Sequence, residues 1–522
     1  MLKVLIKKQL SGVKIYLLVL VIVFFTLYFP QTLIMNESVE TIAAFETDAS
    51  LMVDSVFQHL KTYNMQTGYM SKFYGWSYFF INYLILKPII FLENIFNINN
   101  ISFNIFLIKI IYFLISLSSC IVLFFLLKKI FKKNIISFIG SLLYILALLK
   151  TEFFTDIKPE TTGLLFLFLA QIFLINFIED KKEKMLFWYL LGISSLTLSV
   201  LAKQPFVFLV FPTIIIFYWY YIEKEKMNFF RNFFTKKTFL IILLSIFTVT
   251  IITFIVYPHL FRHPINFINI QKILLKDHGS KGSLVLKGTI LFKAWITTIW
   301  NTPFLKIVIF SYPIAIIIAF LNKKYILRKF FIINFLSLPI LIFLVCKNAG
   351  LFINPNYLAP FLSIFIILLL LPFSVILTIK NKIIKFILII FYIYLFSLLF
   401  FYQIFNINTK LSNRKEYKQS DVFQVSNYIS KEISTNSKLA VSEGVLIPNN
   451  NNESIYESCH WWQNCGLKLY LDNFKPDYFI FIKNTSYNGI QPEYYSNYIN
   501  YIKDHNFQIQ TIIGRFVVYK KQ

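Results

Sequence analysis

Long apolar runs separated by short basic clusters fill the first four hundred residues. A bilayer's hydrocarbon core is about 30 Å thick and takes roughly 20 helical residues to cross. Measured against that length, the runs predict helices near 13 to 31, 103 to 127, 135 to 153, 160 to 178, 186 to 202, 205 to 222, 238 to 257, 303 to 321, 330 to 347, 357 to 378 and 384 to 402. About eleven crossings result. Each must be helical, because lipid offers no partner to an unpaired backbone group.

The polar positions supply direction. LKKIFKKN at 127–134, EDKKEK at 179–184, EKEKMNFFRNFFTKK at 223–237, NKKYILRK at 322–329 and KNKIIK at 380–385 all fall on the same side as the N-terminal MLKVLIKK. Basic residues favour the cytoplasmic side, so that side is expected to be inside. The opposite loops hold FETDAS, TDIKPE, AKQP, the long segment 258–302, and NPNY. The pattern is that of a multi-pass protein of a bacterial cytoplasmic (inner) membrane.

Two segments need separate treatment. Residues 74–95 are apolar enough to tempt a twelfth crossing, but that crossing would invert every later basic cluster. They are therefore read as a juxtamembrane or re-entrant helix at the outer surface, where aromatic residues are favoured, a full span with a missing crossing elsewhere being the alternative. The run at 15–30 follows a basic start like a signal peptide, yet no small-residue cleavage site follows it, so a retained first helix is expected.

After residue 402 the period changes. DVFQVSNYISKEI reads as an amphipathic helix, KLAVSEG and DYFIFIKN as strands, EYYSNYINYIKDHNF as a helix and GRFVVYKK as a closing strand. The chain thus divides into a transmembrane domain, 1–402, with outer loops 31–102 and 258–302, and a small α/β domain, 403–522. An odd number of crossings puts the latter outside.

Composition agrees. Of 522 residues 57% are hydrophobic, above the roughly 45 to 50% usual for soluble domains. Lys and Arg outnumber Asp and Glu by 51 to 25, which alone would suit a nucleic-acid partner. The cations sit in clusters between apolar runs and form no arm or stripe, so membrane lipids are the expected partner and nucleic acid is excluded. Cys120 and Cys346 fall in or at spans as packing residues. Cys459 and Cys465 bracket HWWQN and form a disulfide candidate for an oxidising compartment, two separate thiols being the alternative.

Candidate chemistry gathers in the outer turns. FETDASLMVDS holds Glu46, Asp48 and Asp54, with Asp48 placed to cap a helix from about 48 to 60 and face a cavity at the membrane surface. TEFFTDIKPET brings Glu152, Asp156, Lys158 and Glu160 to the mouth of two spans, with Pro159 fit for a first helical turn. Ionisable groups at one level of a bundle are functional candidates by default. In LAKQPF, Lys203 joins spans too close for an ordinary loop, so its ammonium is expected at the outer interface. YPHLFRHP offers Arg262, able to grip phosphate oxygens bidentately, between His259 and His263, which read as surface histidines. Gly279 and Gly282 lack the spacing of a phosphate-binding loop.

These turns carry a resemblance. The chain resembles the polytopic GT-C glycosyltransferases, among them protein O-mannosyltransferases and the aminoarabinose transferases of lipid A. The matches are FETDAS with Asp48, TDIKPE with Asp156 and Glu160, AKQP with Lys203, and NPNYLAP with Tyr357 and Pro360. The family's first-loop acid often begins an Asp-Glu pair, whereas here Ala49 follows Asp48, which makes Glu46 the candidate for the missing carboxylate.

The resemblance implies transfer of a sugar from a polyprenyl-phosphate donor to a lipid, glycan or protein hydroxyl at the outer face, with inversion. It gives catalytic roles to Asp48, Glu46 and Asp156, and donor-phosphate roles to Lys203 and Arg262. Asp54, Lys158, Glu160, His259 and Tyr357 become substrate contacts. It fixes no cofactor and leaves open a divalent cation held by Asp156 or Glu160. The competing classes are a polysaccharide polymerase or flippase and a secondary transporter. Transporter carboxylates usually lie near mid-bilayer, and these lie at helix mouths.

Overall fold

The computed structural model describes residues 2–34, 75–96, 101–146, 157–180, 184–224, 236–262, 288–321, 327–349, 355–414, 419–441, 474–482 and 493–522, with shorter pieces within 52–60 and at 154, 264–268, 445–447 and 454–456. The helices are α1 Leu2–Ile34, α2 Trp76–Ile95, α3 Ile101–Phe131, α4 Asn134–Leu146, α5 Pro159–Glu179, α6 Met185–Ala202, α7 Val210–Lys224 and α8 Lys236–Val256. They continue with the short α9 His259–Arg262, then α10 Gly288–Asn301, α11 Pro303–Leu321, α12 Arg328–Ala349, α13 Leu362–Ile376 and α14 Lys382–Arg414. Two 3-10 turns, Gln204–Leu209 and Pro355–Phe361, lead into α7 and α13.

Among the described residues ten helical stretches are long and apolar enough to cross a membrane, and the shorter apolar α4 occupies the place of an eleventh. The fold is a polytopic α-helical membrane bundle, as the hydropathy pattern requires. The stretch Asn356–Ile376 is 94% buried, whereas Phe239–Val256 and Lys382–Thr409 are 6% buried, so α13 is the axis of the bundle and α8 and α14 face lipid.

Hydrogen bonds and ion pairs orient the helices. Near its start α5 meets α3 through Thr161 and Tyr112, and at its end Glu179 pairs with Lys129 of α3 and with Lys132 just beyond it. The two helices therefore run parallel, with α6 returning between their ends. Glu223 of α7 pairs with Lys329 of α12, so ion pairs within two sets of loops join basic clusters that the sequence assigned to one side.

Helix α2 does not follow the bundle axis. The backbone N–H of Gly75 donates to the carbonyl of Ala202 (2.9 Å) and the hydroxyl of Ser77 to that of Leu198 (2.6 Å), both at the end of α6. At the other end of α2, Glu93 accepts from Asn104 near the start of α3 (2.8 Å). Both ends of α2 thus lie at the same end of the bundle, as expected for a surface helix. Gly75 holds φ +90°, and a Cβ there would come within 2.9 Å of the Phe79 ring. Only glycine fits this entry turn without strain.

The C-terminal domain adds α15 Asp421–Glu432, β1 Leu439–Val441, β2 Ser454–Tyr456, β3 Tyr478–Ile482, α16 Glu493–Asp504, β4 Phe507–Ile513 and β5 Phe516–Lys521. The sheet order is β2-β1-β3-β5-β4. β1 runs parallel to β2 and β3, while β5 runs antiparallel to β3 and β4. Ser420 caps α15 by accepting from the Phe423 N–H (3.1 Å), a bond typical of helix starts. Both edge strands went unread in the sequence. Val422, Val425, Ile480 and Val518 belong to one apolar cluster with Trp76, Phe79, Ile157, Leu201 and Tyr257. The domain's core is therefore continuous with the α2 end of the bundle.

Candidate active site

Three of the outer turns singled out in the sequence converge. The first begins α5. Lys158 is extended (φ −128°, ψ 137°), Pro159 takes the first helical position where its missing N–H costs nothing, and Glu160 follows in the first turn. There its carboxylate faces the positive end of the helix dipole. The second is Lys203, extended (φ −155°, ψ 135°) between the end of α6 and the 3-10 turn opened by Gln204 and Pro205.

The ammonium of Lys203 pairs with Glu160 Oε1. Gly163 makes the approach possible. A Cβ at that position would sit 2.5 Å from the Phe206 ring, so only a bare α-carbon lets Phe206 seat against the first turn of α5 and bring Lys203 with it. Ser199 closes the same seam by donating to the Gly163 carbonyl (2.7 Å). The third turn, Pro355–Phe361, lays the Tyr357 ring 5.4 Å from the Lys203 ammonium, within the reach of a cation–π attraction.

The pair is buried, with side-chain exposures of 15% for Lys203 and 2% for Glu160. Glu160 Oε2 has no hydrogen-bond partner among the described residues, and neither does the buried Thr162 hydroxyl. A buried acceptor left open is costly. Oε2 of Glu160 therefore keeps an unfilled acceptor position in the first turn of α5. Thr161 braces the turn, donating to the Lys158 carbonyl (2.9 Å) and lying 2.8 Å from the Tyr112 hydroxyl.

Beside the third turn lies an apolar cavity of about 320 Å³. Leu358, the residue after Tyr357, lines it with Trp295, Leu305, Tyr312, Phe343 and Cys346. Tyr357, whose ring meets the Lys203 ammonium, is thus one peptide from a residue that lines the apolar chamber.

Not every predicted residue joins the site. Arg262 is exposed on α9, and no described contact ties it to Lys203. His259 is not the surface histidine expected; it is 6% exposed, its ring 6.1 Å from Tyr257. Tyr257 in turn stacks on Trp76 at 4.1 Å, and this stack, invisible in the local sequence, draws the turn inward. Lys158 is also buried. Glu46, Asp48, Asp54, Asp156, Cys459 and Cys465 lie outside the described residues, and Cys120 and Cys346 are free thiols. No cluster of three or more His, Cys, Asp or Glu stands among the described residues.

Two buried ionisable groups escaped the sequence reading. Lys109 of α3 is 3% exposed, one turn before Tyr112. Its signal was a lysine inside the apolar run FLIKIIYF, since a buried charge in a span marks function by default. His59 is 1% exposed in the helical piece within 52–60, edge-on to Tyr83 at 5.3 Å. Burial lowers its pKa from 6.5 to about 4, so its ring is neutral at pH 7.

Comparison with known proteins follows this geometry. Residues 90–253 match the family model described as dolichyl-phosphate-mannose-protein mannosyltransferase. The matched stretch contains Glu160 and Lys203 and bears out the resemblance drawn from TDIKPE and AKQP. A solved structure described as the crystal structure of ArnT from Cupriavidus metallidurans bound to undecaprenyl phosphate is similar at 10% identity, covering 98% of each chain with a TM-score of 0.49. No curated protein matches the chain significantly.

Proposed function

We propose that this chain is a membrane glycosyltransferase that moves a sugar from a polyprenyl-phosphate carrier to an acceptor hydroxyl at the outer face of the membrane, with inversion. The observation that carries the reading is the buried Lys203–Glu160 pair under the ring of Tyr357, whose neighbour Leu358 lines an apolar cavity. An amphipathic donor with a phosphate and an isoprenoid chain matches that order of groups. The family match over residues 90–253 supports a hexose, and mannose is the sugar to test first.

In this reaction the acceptor oxygen attacks the anomeric carbon as the bond from that carbon to the phosphate oxygen breaks. Asp48 takes the acceptor's proton, a contribution typically worth about 10² to 10⁴ in rate. Glu46 and Asp156 orient the acceptor and sugar, and the open Oε2 of Glu160 accepts from a sugar hydroxyl. The departing phosphate gains negative charge, which Lys203 offsets in a site poor in water. Lys109, buried one turn before Tyr112 in α3, is a better candidate for a second cation than the exposed Arg262.

The outer-face assignment rests on the basic clusters at the opposite helix ends. It carries the α/β domain with it, since the domain's core is continuous with the site end.

Membranes containing the full chain, supplied with radiolabelled polyprenyl-phosphate mannose, test the proposal. Label is expected to enter an acceptor with the wild type and not with Asp48→Asn. Transfer at wild-type rate by a folded Asp48→Asn protein eliminates the proposed base. Flux of the labelled sugar across proteoliposomes without bond cleavage would make the protein a transporter instead.

A further inference from the structure

A second cavity, about 310 Å³, lies between α5, α6, α7 and α8 at the end of the bundle opposite Lys203. Phe177, two residues before the end of α5, and Met185, the first residue of α6, both line it. The length of α5, about 30 Å at 1.5 Å per residue, separates it from the Lys203–Glu160 pair.

Its floor is aromatic and buried. The Phe177 and Phe217 rings meet edge-on at 5.1 Å, and Tyr221 lies beside them. Gly192 permits this floor, because a Cβ there would stand 2.7 Å from the Phe217 ring. Its walls include Leu186, Ile214 and Ile242, all exposed. The slot therefore opens sideways toward lipid. The Tyr189 and Ser245 hydroxyls, 2.7 Å apart, bridge α6 and α8 along it.

The acids described at the rim are engaged. Glu179 is paired with Lys129 and Lys132, Asp180 accepts from the Trp188 indole (3.0 Å), and Glu223 is paired with Lys329. The chain places Lys184 just before α6, Lys224 at the end of α7, and Lys236 and Lys237 at the start of α8. Residues about one turn further into these helices, among them Leu186, Tyr221 and Ile241, line the slot. Along the membrane normal an apolar slot thus ends at helix termini whose sequence is rich in lysine. That is the polarity of an anionic lipid, with chains inward and phosphate at the interface.

We infer that this slot binds an anionic glycerophospholipid of the leaflet opposite the active site, one acyl chain lying on the Phe177–Phe217 floor and the headgroup among the lysines. Its volume falls at the lower end of the roughly 300–1,000 Å³ range of small-molecule sites, enough for a segment of one chain. The inference does not depend on the proposed sugar transfer, and its test uses no sugar donor.

The full chain, purified in detergent and stripped of lipid, is titrated with dioleoyl phosphatidylglycerol or dioleoyl phosphatidylcholine. Bound lipid is counted by native mass spectrometry. One phosphatidylglycerol per chain is expected, bound at least about tenfold tighter than phosphatidylcholine. Ile214→Trp, which fills the slot, is expected to abolish retention, whereas Ile214→Ala keeps it. Lys236→Gln with Lys237→Gln is expected to weaken phosphatidylglycerol roughly thirtyfold and leave phosphatidylcholine unchanged; this pair decides the matter if Ile214→Trp does not fold. Equal affinity for the two lipids, undiminished retention in a folded Ile214→Trp protein, or displacement by equimolar polyprenyl phosphate would each overturn the assignment.

Discussion

The two ends of the bundle use the same chemistry for different purposes. At one end Lys132 and Glu179 pair with 65% and 30% of their side chains exposed; at the other Lys203 and Glu160 pair at 15% and 2%. An exposed pair is worth about 0 to 1 kcal/mol, because water and salt screen it and two long side chains must be ordered. Breaking a buried pair by removing one partner costs about 3–5 kcal/mol, since the other charge is left without compensation. Burial, rather than the number of charges, separates the exposed fastening from the pair proposed as the site.

Substitutions at the two ends test that contrast. The largest effect is expected for Lys203→Ala: transfer should fall by about 10² to 10³, and the fold should lose about 3–5 kcal/mol. Adding Glu160→Gln should recover stability without recovering rate. Thermal unfolding and labelled transfer, measured on both proteins, separate the two losses, and parallel recovery of both would break the contrast.

Next in size is acid sensitivity at the site end. Because burial lowers the pKa of His59 from 6.5 to about 4, the unfolded chain binds a proton that the folded chain refuses. Its contribution is present above pH 6.5 and is lost as pH falls toward 4, by roughly 3 kcal/mol at most. Melting curves from pH 7 to 4 should steepen in this window for the wild type and flatten for His59→Gln.

Smaller changes refine the picture. Gly163→Ala should displace Phe206 and cost about 1–3 kcal/mol, with transfer falling as Lys203 is carried off Glu160. Tyr357→Ala should remove about 0.5–2 kcal/mol of cation–π attraction and raise the donor KM several-fold, while Tyr357→Phe keeps the ring and most of the affinity. At the far end, Glu179→Gln should change stability by under about 1 kcal/mol and leave transfer alone. A large loss there would mean that exposure is a poor guide in this bundle.

What the sequence made legible follows from the range of each force. Hydrophobic period and loop charge are local, so the spans and their common direction could be read from runs such as 303 to 321. The surface placement of α2 could be read too, because one extra crossing would have reversed every later cluster. Strands β1, β3 and β5 were also readable, since buried strands show continuous apolar runs. Strands β2 and β4 were not: both are edges, β2 carrying a single aliphatic residue in Ser454–Tyr456 and β4 exposing Ile509 and Ile512.

The site was legible only in pieces. TDIKPE, AKQP and NPNYLAP each stood out, but nothing local announces that residues 43 apart will pair. That depends on Gly163 yielding to Phe206. Nor could the burial of His259 be foreseen, because its turn is drawn inward by Tyr257 stacking on Trp76, a residue far away in the chain.

The mooring of α2 gives the segment before it a mechanical connection to the lysine. Gly75 grips the carbonyl of Ala202, and the next residue is Lys203. The start of α2 and the backbone of Lys203 are therefore separated by one hydrogen bond and one peptide. Anything that displaces the Gly75 turn is expected to displace the end of α6 with it.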